Sequence, residues 1–167
     1  MLNRCRSELE DGGNIAEVGE DAVERWELEG RESIRDLVAR YNANGDSGRF
    51  DQVMDLFAPD AVMQLGEGPI LTGLEAIRTI FTGAAERVDG FGEHPKYVRH
   101  MTSTLQIDLI DRSSATSWCY YAVLTHIGLE QWGRYLDRYR TVDGAWRFAD
   151  RRVTIDGRAD NALFGSP

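Results

Sequence analysis

The hydrophobic period of this chain changes once, close to residue 99, and that change limits the folds open to it. Upstream, Ile34, Leu37, Val38 and Tyr41 fall at i, i+3, i+4 and i+7, one stripe of an amphipathic helix. Asn44 and Gly45 are the stop expected for it. Phe50, Val53, Met54 and Phe57 repeat the stripe, which predicts a second helix ending at Pro59. Thr72 to Glu75, "TGLE", has capping-box spacing and opens a third helix on Leu74, Ile77 and Phe81. Downstream the period is two. Leu105, Ile107 and Leu109 alternate with polar residues, and Trp118, Tyr120, Ala122, Leu124 and His126 share one face of a long strand. Gly133, Tyr135, Asp137 and Tyr139 alternate with Trp132, Arg134, Leu136 and Arg138. Asp143-Gly144 is a two-residue hairpin signal leading into "AWRFADRRVTI".

Between the second and third helices, "DAVMQL" reads as a short strand and "GEGP" as a turn. Helices first and strands last predict an α+β fold, with about three N-terminal helices packed on one face of a curved, mostly antiparallel sheet. The chain of 167 residues suits one domain with a substantial core. Residues 21–160 carry the pattern. Residues 1–20 contain "DGGN" and few large apolar side chains, and are expected to form a solvated acidic leader. The other reading for this end is a helix around "AVERWELEG" that docks Trp26 on the domain. Residues 161–167 form a tail.

Charge excludes some functions. The net charge of −9 argues against nucleic acid, which needs a concentrated basic face. Residues 1 to 30 hold nine acids against Arg4, Arg6 and Arg25, so most of the excess sits in the leader. No run of about 18 apolar residues is present to span a membrane, and no apolar signal-peptide core opens the chain. Cys5, Cys119, His94, His100 and His126 are too few and too scattered for a disulfide framework or a zinc site. The expectation is a cytoplasmic protein with no metal, no nucleotide motif and no organic cofactor.

Two residues stand out for chemistry. Asp46 lies in "NGDSGRF", flanked by Gly45 and Gly48. It either caps the following helix or places a carboxylate at a pocket. His100 opens the first long strand, either hydrogen-bonded to backbone or serving as a base. His126, near a strand end, is expected to reach solvent. Arg151 and Arg152 pair with helix acids or line a dimer seam.

The stretches "IRDLVARYNANGDSGRFDQVMDLFAPDAVM", "LTGLEAIRTIF", "RHMTSTLQI" and "WGRYLDRYRTVDGAWRFADRRVTIDG" resemble, in this order, the SnoaL-like branch of the nuclear transport factor 2-like superfamily. The resemblance covers residues 31 to 157. It implies a cone-shaped barrel open to a deep pocket, and homodimers formed through the outer face of the sheet. It resembles in particular the scytalone dehydratase-like enzymes, which pair an Asp after the first helix with a His at the start of the first long strand. On that pattern Asp46 orients His100, the general base, and no cofactor is needed. The match is partial. The phenols that polarise that substrate's carbonyl correspond here to Gly45 and Leu65. The second pocket His corresponds to Tyr120, and a Ser and an Asn to Gly133 and Tyr135.

The pocket is expected to be lined by Phe57, Met63, Met101, Trp118, Tyr120 and Tyr135, with Asp137 and Tyr139 as further polar candidates. The expected activity is a cofactor-independent lyase or isomerase acting on a small, largely apolar or aromatic molecule. The alternatives are a ligand-binding protein without catalysis, or a polyketide cyclase or epoxide hydrolase. Epoxide hydrolysis in this fold uses an Asp-Arg-Asp set, which Asp137, Arg138 and their neighbours do not supply from sequence.

Overall fold

The structure, a computed structural model, describes residues 23–164. The acidic leader, Cys5 and the end of the tail lie outside the described residues. Helix α1 spans Arg25–Asp46, α2 Phe50–Met54 and α3 Leu74–Asp89. The strands are β1 (Phe57–Leu65), β2 (Ile70–Thr72), β3 (Arg99–Leu109), β4 (Ser114–Thr125), β5 (Gly128–Val142) and β6 (Ala145–Arg158). They form one six-stranded sheet in the order β2-β1-β6-β5-β4-β3. All neighbours are antiparallel except β1 and β6. The sheet is curved and unclosed, with β2 and β3 as its edges.

Helix α1 buries its predicted stripe: Ile34, Leu37, Val38 and Tyr41 are all core residues. Fully burying an aliphatic side chain of this kind contributes roughly 1.5–3 kcal/mol, which outweighs the weak intrinsic propensity of a single helix. "WELEG" is continuous with this helix. Half-buried Trp26 meets Arg112, whose guanidinium carbon lies 5.0 Å from its ring centre.

The helix ends later than its Asn44-Gly45 signal predicts. The left-handed residue is Gly48, at φ +69°. The Asn44 carbonyl accepts from the Arg49 N–H at 2.9 Å and the Gly45 carbonyl from the Gly48 N–H at 3.1 Å, the reversal that terminates helices. Asp46 therefore occupies the last helical turn.

Three further expectations are corrected. Helix α2 is a single short piece. Phe57 and Pro59 belong to β1, because Phe57 pairs with Phe148 of β6 and packs against its ring at 5.1 Å. Pro59 is tolerated where the β1–β6 register shifts, between Phe57 and Val62, since no ladder hydrogen bond is asked of it there. The capping box at Thr72 does not form. Gly73 at φ +83° precedes α3 without a side-chain cap, and its N–H bonds instead to the Ala61 carbonyl at 2.8 Å.

Parity in the sheet follows the sequence on β4 and β5; the inward set on β5 is the expected one, Gly133, Tyr135, Asp137 and Tyr139, but on β4 the faces are reversed from expectation. On β4 the buried set is Ala115, Ser117, Cys119, Tyr121, Val123 and Thr125. The set containing Trp118 and Tyr120 points outward. On β3 a bulge between Ser103 and Gln106, with Thr104 at φ +56°, places an extra residue opposite β4. A bulge reverses strand parity. His100 and Ile107, of opposite parity in sequence, thereby share the inner face; their β4 partners Val123 and Ser117 are both buried.

Candidate active site

A cavity of about 400 Å³ opens between the end of α1, α3 and the inner face of the sheet, within the usual range for small-molecule sites. Tyr41, Asn42, Gly45 and Asp46 enter it from the last turns of α1, and Ile80, Phe81, Ala84 and Arg87 from α3. Met63 and Leu65 come from β1, Tyr121 and Val123 from β4, Tyr135 from β5, and Val153 and Ile155 from β6. Most of this wall is apolar.

His100 and Asp46 meet at its edge. His100 Nδ1 lies 2.6 Å from Asp46 Oδ1, and the His100 backbone N–H donates to Asp46 Oδ2 at 2.9 Å. One carboxylate thus clasps the imidazole and the strand that carries it. An ionised carboxylate only accepts, so in the neutral form of the ring Nδ1 is the donor to Asp46 and the lone pair falls on Nε2. The side chains are 28% and 11% exposed, so the pair is partly withdrawn from water, while His100 itself lines the cavity.

Behind the cavity floor is a second polar group. Arg151 is fully buried, and its Nε and Nη2 donate to Asp137 at 2.8 and 2.7 Å. The guanidinium carbon lies 3.9 Å from the ring centre of Tyr41, 4.4 Å from Tyr135 and 4.1 Å from Phe148. Burial acts to lower the Arg151 pKa, yet Asp137 holds it well above its ordinary value. Tyr139 donates to Asp137 Oδ2 at 3.0 Å and is 2.7 Å from the Ser117 hydroxyl. Burial, then Asp137, pushes the Tyr139 phenol well up.

The expected lining residues divide accordingly. Met63, Tyr135, His100 and Asp46 are on the cavity wall. Phe57, Asp137 and Tyr139 are buried behind it, in the core and the Arg151 cluster. Met101 and Tyr120 are exposed on the outer face, at 59% and 46%, and Trp118 stands beside Tyr120 at 5.2 Å. Two neighbours on a strand point to opposite faces, so His100 inside puts Met101 outside. His126 is half-buried, stacked on His94 at 4.5 Å.

The α1 pair Tyr41 and Asn42 was missed, although Tyr41 belongs to the stripe read as core. Also missed were Tyr121, whose parity places it opposite the chosen set, and Phe164 in the tail. Phe164 lines the cavity because the buried Glu130 carboxylate accepts its backbone N–H at 2.6 Å, along with that of Leu163. Among the described residues no three His, Cys, Asp or Glu side chains come together in a way that could hold a metal ion, and no helix is long and apolar enough to cross a membrane.

A curved sheet with helices across one face and an apolar cavity at one end defines a cone-shaped, pocket-bearing α+β protein. Solved structures share this fold. An NTF2-like protein with a cystatin-like fold from Novosphingobium aromaticivorans aligns with a TM-score of 0.68 at 22% identity, over 83% of this chain and 91% of that one. Aln2 from a Streptomyces species aligns at 0.67 and 25% identity, over 77% and 91%. A second Novosphingobium aromaticivorans protein, named after scytalone dehydratase, aligns at 0.64 and 18% identity, over 85% and 98%. A search of curated proteins found no match. Residues 26–152 match the SnoaL-like domain family. The chain belongs to that family.

Proposed function

We propose that the protein is a cofactor-independent lyase or isomerase, with His100 as general base and Asp46 as the residue that orients it. The observation that carries this reading is the double clasp of Asp46 on His100, on the ring at 2.6 Å and on the backbone at 2.9 Å. A helix cap or a turn would need neither contact. With Nδ1 protonated, Nε2 is the nitrogen free to take a proton from a substrate in the cavity. The carboxylate then stabilises the imidazolium that forms. The substrate is a small, largely apolar molecule, as the cavity wall requires. That a structural neighbour bears a dehydratase's name is in keeping with elimination.

Screening hydroxylated and halogenated bicyclic compounds for loss of water or halide tests the proposal. Turnover must vanish in His100→Ala. A ligand bound equally by wild type and Asp46→Asn, and never converted, would instead make the protein a binding module. Epoxide hydrolysis is less favoured, because Arg151 and Asp137 satisfy each other behind the cavity wall.

The outer face of the sheet supports homodimerisation. Met101, Tyr120, Trp132 and Leu136 are 38–59% exposed there. The ladder makes them contiguous, with Met101 and Trp132 both opposite Ala122 and Leu136 opposite Trp118. Apolar patches of this kind mark interaction surfaces.

A further inference from the structure

The cavity is not apolar all the way to its opening. Among the residues that line it, Leu65, Glu67, Arg87 and Arg158 are also exposed, so they stand where it meets solvent. Neither Arg87 nor Arg158 forms a side-chain ion pair among the described residues, whereas Arg78 on the same helix is paired with Asp51 and Arg134 on the adjacent strand with Asp156. Ile80, Ala84 and Arg87 share one face of α3, an apolar stripe that turns cationic at the opening. A cation in the last turn of a helix suits the helix dipole, which accounts for Arg87. Arg158 ends a strand and has no such reason to be there.

The sheet register sets how far that charge lies from His100. His100 of β3 is opposite Val123 of β4, Val123 is opposite Gln131 of β5, and Gln131 is opposite Arg158 of β6. All four line the cavity, so one row crosses the concave face from the imidazole to the guanidinium. Three strand spacings make the row about 14 Å long. The curvature of the sheet and the length of the Arg158 side chain shorten the gap between the functional groups to the length of a fused bicyclic molecule. The Gln131 amide, half-buried in the same row, makes no side-chain hydrogen bond among the described residues. Burial pushes the Tyr121 phenol up to about 12 while the Arg158 charge pulls it down, which puts the guanidinium within reach of the inner wall.

We propose that Arg158 and Gln131, together with Arg87, form an anion subsite, and that the cavity takes an apolar carboxylic acid with its carboxylate at this end and its far end at His100. The guanidinium fork and the amide NH₂ are planar donors, which match the two oxygens of a carboxylate. The hydrocarbon body of the acid lies along Val123 and the apolar stripe of α3. Charge fixes the orientation. With the imidazole neutral, the Asp46–His100 end carries a net negative charge and repels a second carboxylate, while the opposite end attracts it. Glu67, the one carboxylate at the opening, offsets only one of the two guanidinium charges. That the far end of the acid meets a base rests on the reading of His100; the subsite itself does not.

2-Naphthoate and 2-naphthamide form a matched pair of probes, alike in shape and differing in charge. Their dissociation constants are measured by calorimetry at neutral pH and low salt on wild type, Arg158→Gln, Gln131→Leu, Arg87→Gln and His100→Ala. Wild type is expected to bind the acid about tenfold more tightly than the amide, the worth of a charge-assisted hydrogen bond. Arg158→Gln should remove most of that preference, and Gln131→Leu and Arg87→Gln about two- to threefold of it each. His100→Ala should leave it in place. Arg158 and Arg87 are exposed, so their variants keep the fold, read as an unchanged Tm. Equal binding of the two probes by wild type, or binding of neither, overturns the proposal. So does a preference that survives Arg158→Gln, or one lost in His100→Ala, which puts the carboxylate at the imidazole instead.

Turnover separates the subsite from the general-base reading. If the preference for naphthoate depends on Arg158 while no hydroxylated or halogenated compound, acid or neutral, is converted, the subsite stands and the base reading fails. If a neutral compound is converted in a His100-dependent way while the preference ignores Arg158→Gln, the subsite fails and the base reading stands.

Discussion

Replacing Asp46 with asparagine should disable His100 while leaving the fold nearly intact, because the two contacts Asp46 makes differ in what they can tolerate. The backbone N–H of His100, 2.9 Å from Oδ2, can only donate. In Asp46→Asn it must therefore face the amide oxygen, which turns the amide NH₂ toward the ring. His100 Nδ1, 2.6 Å from the other oxygen, would then have to accept, and its proton would move to Nε2. The nitrogen that faces a substrate would lose its lone pair.

The stability cost is the difference between a charge-assisted hydrogen bond and a neutral one, about 1–1.5 kcal/mol. With the imidazole 28% exposed, solvent screening reduces that to about 1 kcal/mol, or roughly 2–4 °C in Tm. Asp46→Ala loses both bonds and strands a half-buried N–H, costing about 2–4 kcal/mol. A wrong tautomer of this kind costs on the order of 10⁴-fold in turnover in a serine-protease triad, and a comparable loss is expected here.

Long-range ¹H–¹⁵N correlation spectra of the His100 ring, assigned by comparison with His100→Ala, read the tautomer directly. The expected pattern is Nδ1–H in wild type and Nε2–H in Asp46→Asn, with a Tm loss of a few degrees. Nε2–H in the wild type, or an unchanged pattern in the variant, would refute the reasoning.

Three further outcomes are expected. Asp137→Asn should destabilise by about 3–5 kcal/mol in thermal or denaturant unfolding, since Arg151 stays charged and loses its buried counter-ion; a loss under about 1 kcal/mol would count against that pair as the core's electrostatic anchor. Light scattering is expected to give a dimer for wild type and a monomer for Trp132→Glu, because the charge falls on the outer apolar face beside Met101. In a Cys5→Ser background, Cys119 should react with a thiol reagent at pH 8 only on unfolding, as burial pushes it up to about 11 from 9. The sign follows: the unfolded thiol ionises through pH 9 while the folded one keeps its proton to about 11, so stability falls as pH rises across that window.

Much of the architecture is written in local pattern. The Ile34–Tyr41 stripe, the switch from period 3.6 to two and the Asp143-Gly144 hairpin each depend on neighbours a few residues apart, and such signals survive in a linear reading. Asp46 and His100, given by the family resemblance, and Met63 and Tyr135, expected as lining residues, are found on the cavity wall. Trp118, Tyr120 and Met101 are not, because alternation groups residues by face without saying which face is inside. On β4 the outward set is the larger and more aromatic one. An exposed apolar face and a core face look alike in sequence.

The sequence by itself determined the number and order of the main elements and the α+β class, because helical and strand periodicity are properties of the chain and its solvent preference. Tertiary structure decided which faces became the cavity. The bulge at Thr104 reverses the parity of β3 between Ile107 and His100, and only that reversal brings His100 inward to Asp46, 54 residues away. Packing also leaves the Asn42 Oδ1 and Tyr121 hydroxyl atoms without a hydrogen-bond partner among the described residues, since which buried groups are satisfied depends on three-dimensional neighbours that no local pattern specifies. Pairing across the fold, and failure to pair, is the information that only packing supplies.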